Sequence, residues 1–66
     1  MTYFTIKYNG EYIKDIDFES GKHDTTKEVI NARLFPEMER HSCEIWAKVI
    51  GGQMKRVVIL VNDLEE

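Results

Sequence analysis

The 66 residues hold a single cysteine, Cys43, and a single proline, Pro36. One thiol excludes an internal disulfide and fits a reducing compartment. Together with only two histidines it also makes a poor metal-ligand set. No apolar run reaches the ~18 residues that a membrane-spanning helix needs. The opening Met1-Thr2-Tyr3-Phe4 lacks the basic and long apolar segments of a secretion signal. There is no phosphate-binding loop, because Gly51-Gly52 follows a helical pattern and no helix start comes after it. Positive charge is not in excess either. Nine basic against twelve acidic residues give a net charge of −3, which weighs against a nucleic-acid partner.

What is present fits one small domain spanning residues 1–66, with an ordinary apolar fraction of 42%. A chain this short buries only about 60% of the surface it exposes when unfolded. Small scaffolds with so thin a core are usually completed by a disulfide, a metal or a partner. With the first two excluded, a partner or a second copy is expected.

Residues 2–8, TYFTIKY, alternate and are rich in aromatic and β-branched types, as in a strand. Asn9-Gly10 signals a hairpin, and EYIKDIDF follows as a second strand. A two-residue loop would put Ile6 opposite Ile13. A three-residue loop, Tyr8-Asn9-Gly10, puts Ile6 opposite Tyr12 and gathers Phe4, Ile6, Tyr12, Ile16 and Phe18 on one face, so that register is expected, with Gly10 at positive φ. Residues 19–24 compose as a loop. In TTKEVINARLF the Thr25/Glu28 spacing suggests a capping box, while the β-branched Val29-Ile30 pair and the ARLF run could equally form a short third strand; a short helical turn near 26–31 is expected before an extended stretch at 32–35. Pro36 then opens a helix over 36–50, with Met38, Ser42, Ile45, Trp46 and Val49 as its inward stripe. Gly51-Gly52 stops it, and MKRVVILV forms a last strand. The fold class expected is α+β: an N-terminal β-hairpin, an irregular or short third element, one α-helix and a C-terminal strand. The sheet is small and mostly antiparallel, with the helix on one face.

The hairpin YFTIKYNGEYIKDIDF, the segment NARLF and a helix ending AKVIGG before a valine-rich strand together resemble small phage and prophage proteins of Gram-positive bacteria. The shared motifs cover most of the chain and are structural: Gly10 for the turn, Ala32 and Phe35 for contacts inside the fold, Gly51-Gly52 for the helix stop. The last strand here is more apolar than that pattern. The resemblance implies phage origin and cytoplasmic expression in an infected host, and it carries no catalytic residue.

No catalytic, cofactor or metal site is expected from the residues. His41 and Cys43 stand two apart on a helix and point in different directions, which defeats both a zinc site and a Cys–His nucleophile. Asp15, Asp17 and Glu19 alternate along a strand and are expected to face solvent together. In the last strand Lys55, Val57, Ile59 and Val61 face away from Met54, Arg56, Val58 and Leu60. One helix covers one face. Ile13, Val57, Ile59 and Val61 are therefore the expected interface, covered by a homodimer partner, by a host protein, or by residues 25–35 of the same chain. The function expected is that of a non-enzymatic interaction protein, a modulator or inhibitor of a host protein. The alternative is a single-stranded nucleic-acid-binding module that uses Tyr3, Lys7, Tyr8 and Lys14 of the hairpin.

Overall fold

A computed structural model describes residues 1–59 of the chain. It is an α+β fold in which α1 (Arg40–Ile50) packs on a five-stranded antiparallel sheet. The strands are β1 (Thr2–Tyr8), β2 (Glu11–Ile16), β3 (His23–Thr26), β4 (Phe35–Pro36) and β5 (Gln53–Val58). Central β1 pairs with β5 along one edge, from Thr2↔Val58 to Lys7↔Gln53. Its other edge is shared. β2 takes the end at Lys7 and Tyr8, and β4 takes the end at Tyr3 and Phe4. Between them β1 and β2 splay apart, and the chain before β4 enters the fork: the Arg33 N–H donates to the Ile13 carbonyl at 2.9 Å.

The hairpin register differs from expectation. The loop is Asn9-Gly10 alone, with Tyr8 opposite Glu11 and Lys7 opposite Tyr12. Both loop residues have positive φ, 54° and 83°, which is the type I′ geometry whose twist matches that of paired strands. The expected positive φ at Gly10 is present, and the three-residue loop is not. The turn does not gather the apolar residues; an irregularity does. Against β3, Ile13 pairs with Thr25 and Asp15 with Asp24, so Lys14 is an extra residue in β2. That insertion shifts the alternation and lets Ile13 and Ile16, three apart, both reach the core at 1% and 5% exposure. Ile13 is therefore not part of an exposed interface. Phe18, expected inside, is 45% exposed.

The core is Phe4, Ile6, Ile13, Ile16, Phe35, Cys43 and Ala47, with Trp46, Ile50 and Met54 packed against it. The helix is shorter than expected and turned about its axis. Pro36 stays in β4, Glu37–Glu39 make a 3₁₀ turn, and α1 begins at Arg40. The inward residues are the small ones, Cys43 and Ala47, which allow the helix axis close to β1. Met38, Ile45 and Val49 of the expected stripe are exposed at 90%, 47% and 63%. Trp46 is half-buried, edge-on to Phe18 with ring centroids 5.1 Å apart.

Residues 25–35 hold a 3₁₀ turn at Val29–Asn31 and reach extended backbone at Ala32 and β4. Strand β3, which starts where a loop over 19–24 was expected, takes up their first two residues. The capping box does not form. Thr25 Oγ1 donates to Glu11 Oε1 at 2.8 Å, and the Glu28 N–H donates to Thr26 Oγ1 at 3.2 Å. Both threonines serve the strand pair and its turn.

Gly51 caps α1 in the left-handed conformation at φ 86°, its N–H donating to the Ala47 carbonyl. Gly52 has a different constraint. A Cβ there would lie 2.7 Å from the Lys7 carbonyl oxygen and 2.9 Å from Ile6 Cγ2. Backbone cannot yield as a side chain can, so Gly52→Ala is expected to lower stability by about 1–3 kcal/mol through overpacking. A urea unfolding curve reads this as a lower midpoint at unchanged slope; an unshifted midpoint would show that β1 and β5 are free to part there.

Candidate functional site

Strand alternation divides β1. Phe4 and Ile6 face α1, and Tyr3, Thr5 and Lys7 face the opposite side. The same ladder puts Val57 beside Tyr3, Lys55 beside Thr5 and Gln53 beside Lys7 on that far face. Tyr12, opposite Lys7, joins them, with the Lys7 Nζ 5.6 Å from its ring centre. The far face therefore brings together two lysines, two tyrosines and a valine from three strands.

Part of this face is covered from within the chain. Thr5 is fully buried, and its Oγ1 donates to the Arg33 carbonyl at 2.8 Å. Val29 of the 3₁₀ turn forms one wall of an open groove of about 480 Å³. Tyr12 and Lys7 line it on one side, and Lys55, Val57 and Val58 on the other. Residues 25–35 thus cover the sheet over β1 and leave it open toward β5. Val57 stays half-buried, while Val58 and Ile59 are 57% and 37% exposed. Of the four residues expected at the interface, Val57 lines this groove, Ile59 is partly exposed beyond it, Ile13 lies in the core, and Val61 falls outside the described residues.

The expected nucleic-acid face is divided as well. Tyr3 and Lys7 share the far side. Tyr8, the next residue, faces the other way, edge-on to His23 at 5.5 Å. Lys14 sits exposed in the bulge. Sequence reasoning did not bring Tyr12, Val29 or Lys55 into a site. Lys55 already alternated with Val57, but its placement near Lys7 needs the β1–β5 register, which no local pattern encodes.

Two smaller clefts have other characters. One of about 220 Å³ is lined by Asp15, Asp17, Lys22, His23 and Asp24. Asp15, Asp17 and Glu19 are all exposed, as expected, but not through strand alternation: β2 ends at Ile16, and Asp17 and Glu19 lie in the turn that follows. Asp17 is committed to its own turn. The Ser20 hydroxyl, then the backbone N–H groups of Glu19 and Ser20, hold its carboxyl below the ordinary range. A second cleft of about 320 Å³ lies between the hairpin loop and Gly51-Gly52. Among the described residues no group of three or more His, Cys, Asp or Glu is placed to hold a metal ion. His41 is exposed while Cys43 is fully buried, as their helical spacing predicts. Among the described residues, no helix is long and apolar enough to cross a membrane. No protein family, curated protein or solved structure matches the chain.

Two measurements check the frame of this face. Thr5→Val keeps shape but removes the donor to Arg33, and is expected to cost about 1–3 kcal/mol; Thr5→Ser should recover most of it. Loss of packing alone would spare the valine and penalise the serine. Burial also pushes the Cys43 thiol up from 9.0 to about 11. The folded chain then keeps a proton that the unfolded chain releases, so stability is expected to fall as pH rises from about 9 toward 11. Cys43→Ala should flatten that part of the stability–pH curve, and an unchanged slope would place the alkaline loss elsewhere.

Proposed function

We propose that the protein is a non-enzymatic interaction module of phage type that binds a host protein as a modulator or inhibitor. The far-face groove is its docking surface. The observation that carries this is the half-covered sheet: Tyr12 and Val57 line a groove that the chain's own 25–35 segment walls with Val29 but does not close, with Lys7 and Lys55 at its margin. Exposed apolar surface rimmed by polar groups marks sites of contact with proteins, membranes or ligands. The resemblance to small phage proteins supplies the setting, the cytoplasm of an infected bacterium.

Immobilised protein is expected to retain a host protein from a Gram-positive lysate. Val57→Asp, which places a charge in the groove floor, should reduce that retention roughly tenfold or more, by at least about 1.4 kcal/mol. Circular dichroism of the variant separates lost binding from lost fold. Equal retention by the wild type and a folded Val57→Asp variant would remove the groove as the docking surface.

One observation favours the nucleic-acid alternative: Lys7 over Tyr12, with Tyr3 and Lys55 on the same face. Labelled single-stranded oligonucleotides decide between them. The protein-docking function predicts no binding at physiological salt. Binding that weakens steeply with salt and is lost in Tyr12→Ala would favour the alternative.

A further inference from the structure

The charges around the far-face groove narrow the kind of partner segment it fits. This rests on the groove being the docking surface and goes on to what docks there. The chain has twelve acidic residues and nine basic ones, yet the charged residues lining the groove are Lys7, Lys55 and Arg56, all basic. The cleft between the hairpin loop and Gly51-Gly52 is lined by Lys7 and Lys55 again, with no acid among its lining residues. The two lysines therefore stand where both clefts meet.

The β1–β5 register puts them there. Lys7 is opposite Gln53 and Thr5 is opposite Lys55, so Lys7 and Lys55 are diagonal neighbours on one face. Diagonal positions on a sheet lie roughly 7–8 Å apart, within reach of long side chains. Like charges so placed repel, and an anionic group seated between them relieves the repulsion. Beyond the lysines the groove turns aliphatic, with Val29, Val57 and Val58. Val57 lies two residues past Lys55, about 6.6 Å along the strand. That is also the spacing of same-side residues in any other extended chain.

We propose that the groove binds an acidic, extended segment of the partner protein. Its carboxylates sit at Lys7 and Lys55, and an apolar side chain two positions along sits against Val57. A single-stranded nucleic acid shares the negative charge and fits the groove less well. Bases need open aromatic faces to stack on. Here Lys7 Nζ lies over the Tyr12 ring, 5.6 Å from its centre, and the rest of the lining toward Val57 is aliphatic.

Biolayer interferometry on immobilised polymers tests this. The wild type is expected to bind a random glutamate–tyrosine copolymer saturably, and polyglutamate roughly tenfold or more weakly because it lacks the apolar group. Lys7→Glu/Lys55→Glu should lose the glutamate–tyrosine copolymer and gain a lysine–tyrosine copolymer. Lys22→Glu/Lys48→Glu changes the net charge equally at exposed positions outside the groove. It should bind as the wild type does, since exposed charges more than about 8 Å away are screened at physiological salt. A wild type that ignores the copolymer, a control that loses as much as the groove variant, or a reversed groove that does not switch copolymers would each overturn the proposal. Tighter binding to oligothymidylate than to the copolymer would make nucleic acid the occupant and overturn it. A wild-type dimer in sedimentation that Lys7→Glu/Lys55→Glu dissolves would do the same in favour of a second copy. If the reversed variant is unfolded by circular dichroism, Lys7→Gln/Lys55→Gln decides: a folded variant with undiminished binding overturns the proposal, and a loss of roughly tenfold supports it. Lysate retention reads the docking surface separately. Retention abolished by Val57→Asp, beside a copolymer that the wild type ignores, overturns the acidic occupant and leaves the groove. Retention that Val57→Asp leaves unchanged overturns both.

Discussion

The structure depends on β1 being paired along both edges although its two neighbours on one side come from different parts of the chain. β5 occupies one edge along its full described length, whereas β2 and β4 divide the other. At the division the sheet would be left with unpaired groups. Thr5, fully buried there, closes the gap by donating to the Arg33 carbonyl, and the Arg33 N–H reaches across to Ile13. Buried polar groups need such partners, because an unmade hydrogen bond costs more than a made one contributes. The same two contacts draw residues 29–33 over the far face, and so set how much of that face stays open.

Around the fork the side chains close the end of the core. The Arg33 guanidinium lies 4.9 Å from the Phe18 ring centre and 5.4 Å from that of Phe35. Phe18 in turn meets Trp46 on α1. Neither Phe18 nor Trp46 is fully buried, yet together with Arg33 they link the loop after β2, the segment before β4 and the helix. Next to Trp46 on the same face of α1, the small side chains of Cys43 and Ala47 let the helix rest close to Phe4 and Ile6.

The elements legible in the sequence were those with local chemical causes. Asn9-Gly10 marks a turn because both residues tolerate positive φ, and Gly51 ends a helix for the same reason. The alternation of TYFTIKY and the charged outer face of α1 are local as well. What was not legible depended on distant partners. The hairpin register turned on an insertion at Lys14 that only pairing with β3 reveals. The helix face was misjudged because large apolar residues were taken to point inward. The space over β1 admits only Cys43 and Ala47, and Ile45 and Val49 are left outside. For the candidate site, Lys55 and Val57 were readable as one face of a strand, and Tyr3 and Lys7 as candidate residues of the hairpin. That these two sets meet each other and Tyr12 and Val29 was not readable, since a three-strand register and a 3₁₀ turn bring them together.

The ladder between β1 and β5 joins Thr2 to Val58, nearly the whole described chain apart. Contacts so distant in sequence must wait for loop closure, and proteins dominated by them fold slowly for their size. During synthesis β1 leaves the ribosome with Phe4 and Ile6 already in place, but the strand that shields its outer edge is made some fifty residues later. The hairpin with β2 forms early and occupies only the Tyr8 end of the other edge. In the interval the nascent chain presents an apolar, half-paired strand, the kind of surface that chaperones hold and that aggregates form on. The type I′ turn at Asn9-Gly10 shortens that exposure at one end. At the other end the Tyr3 and Phe4 backbone stays open until β4 and then β5 arrive, which makes that end of β1 the more vulnerable of the two during biogenesis.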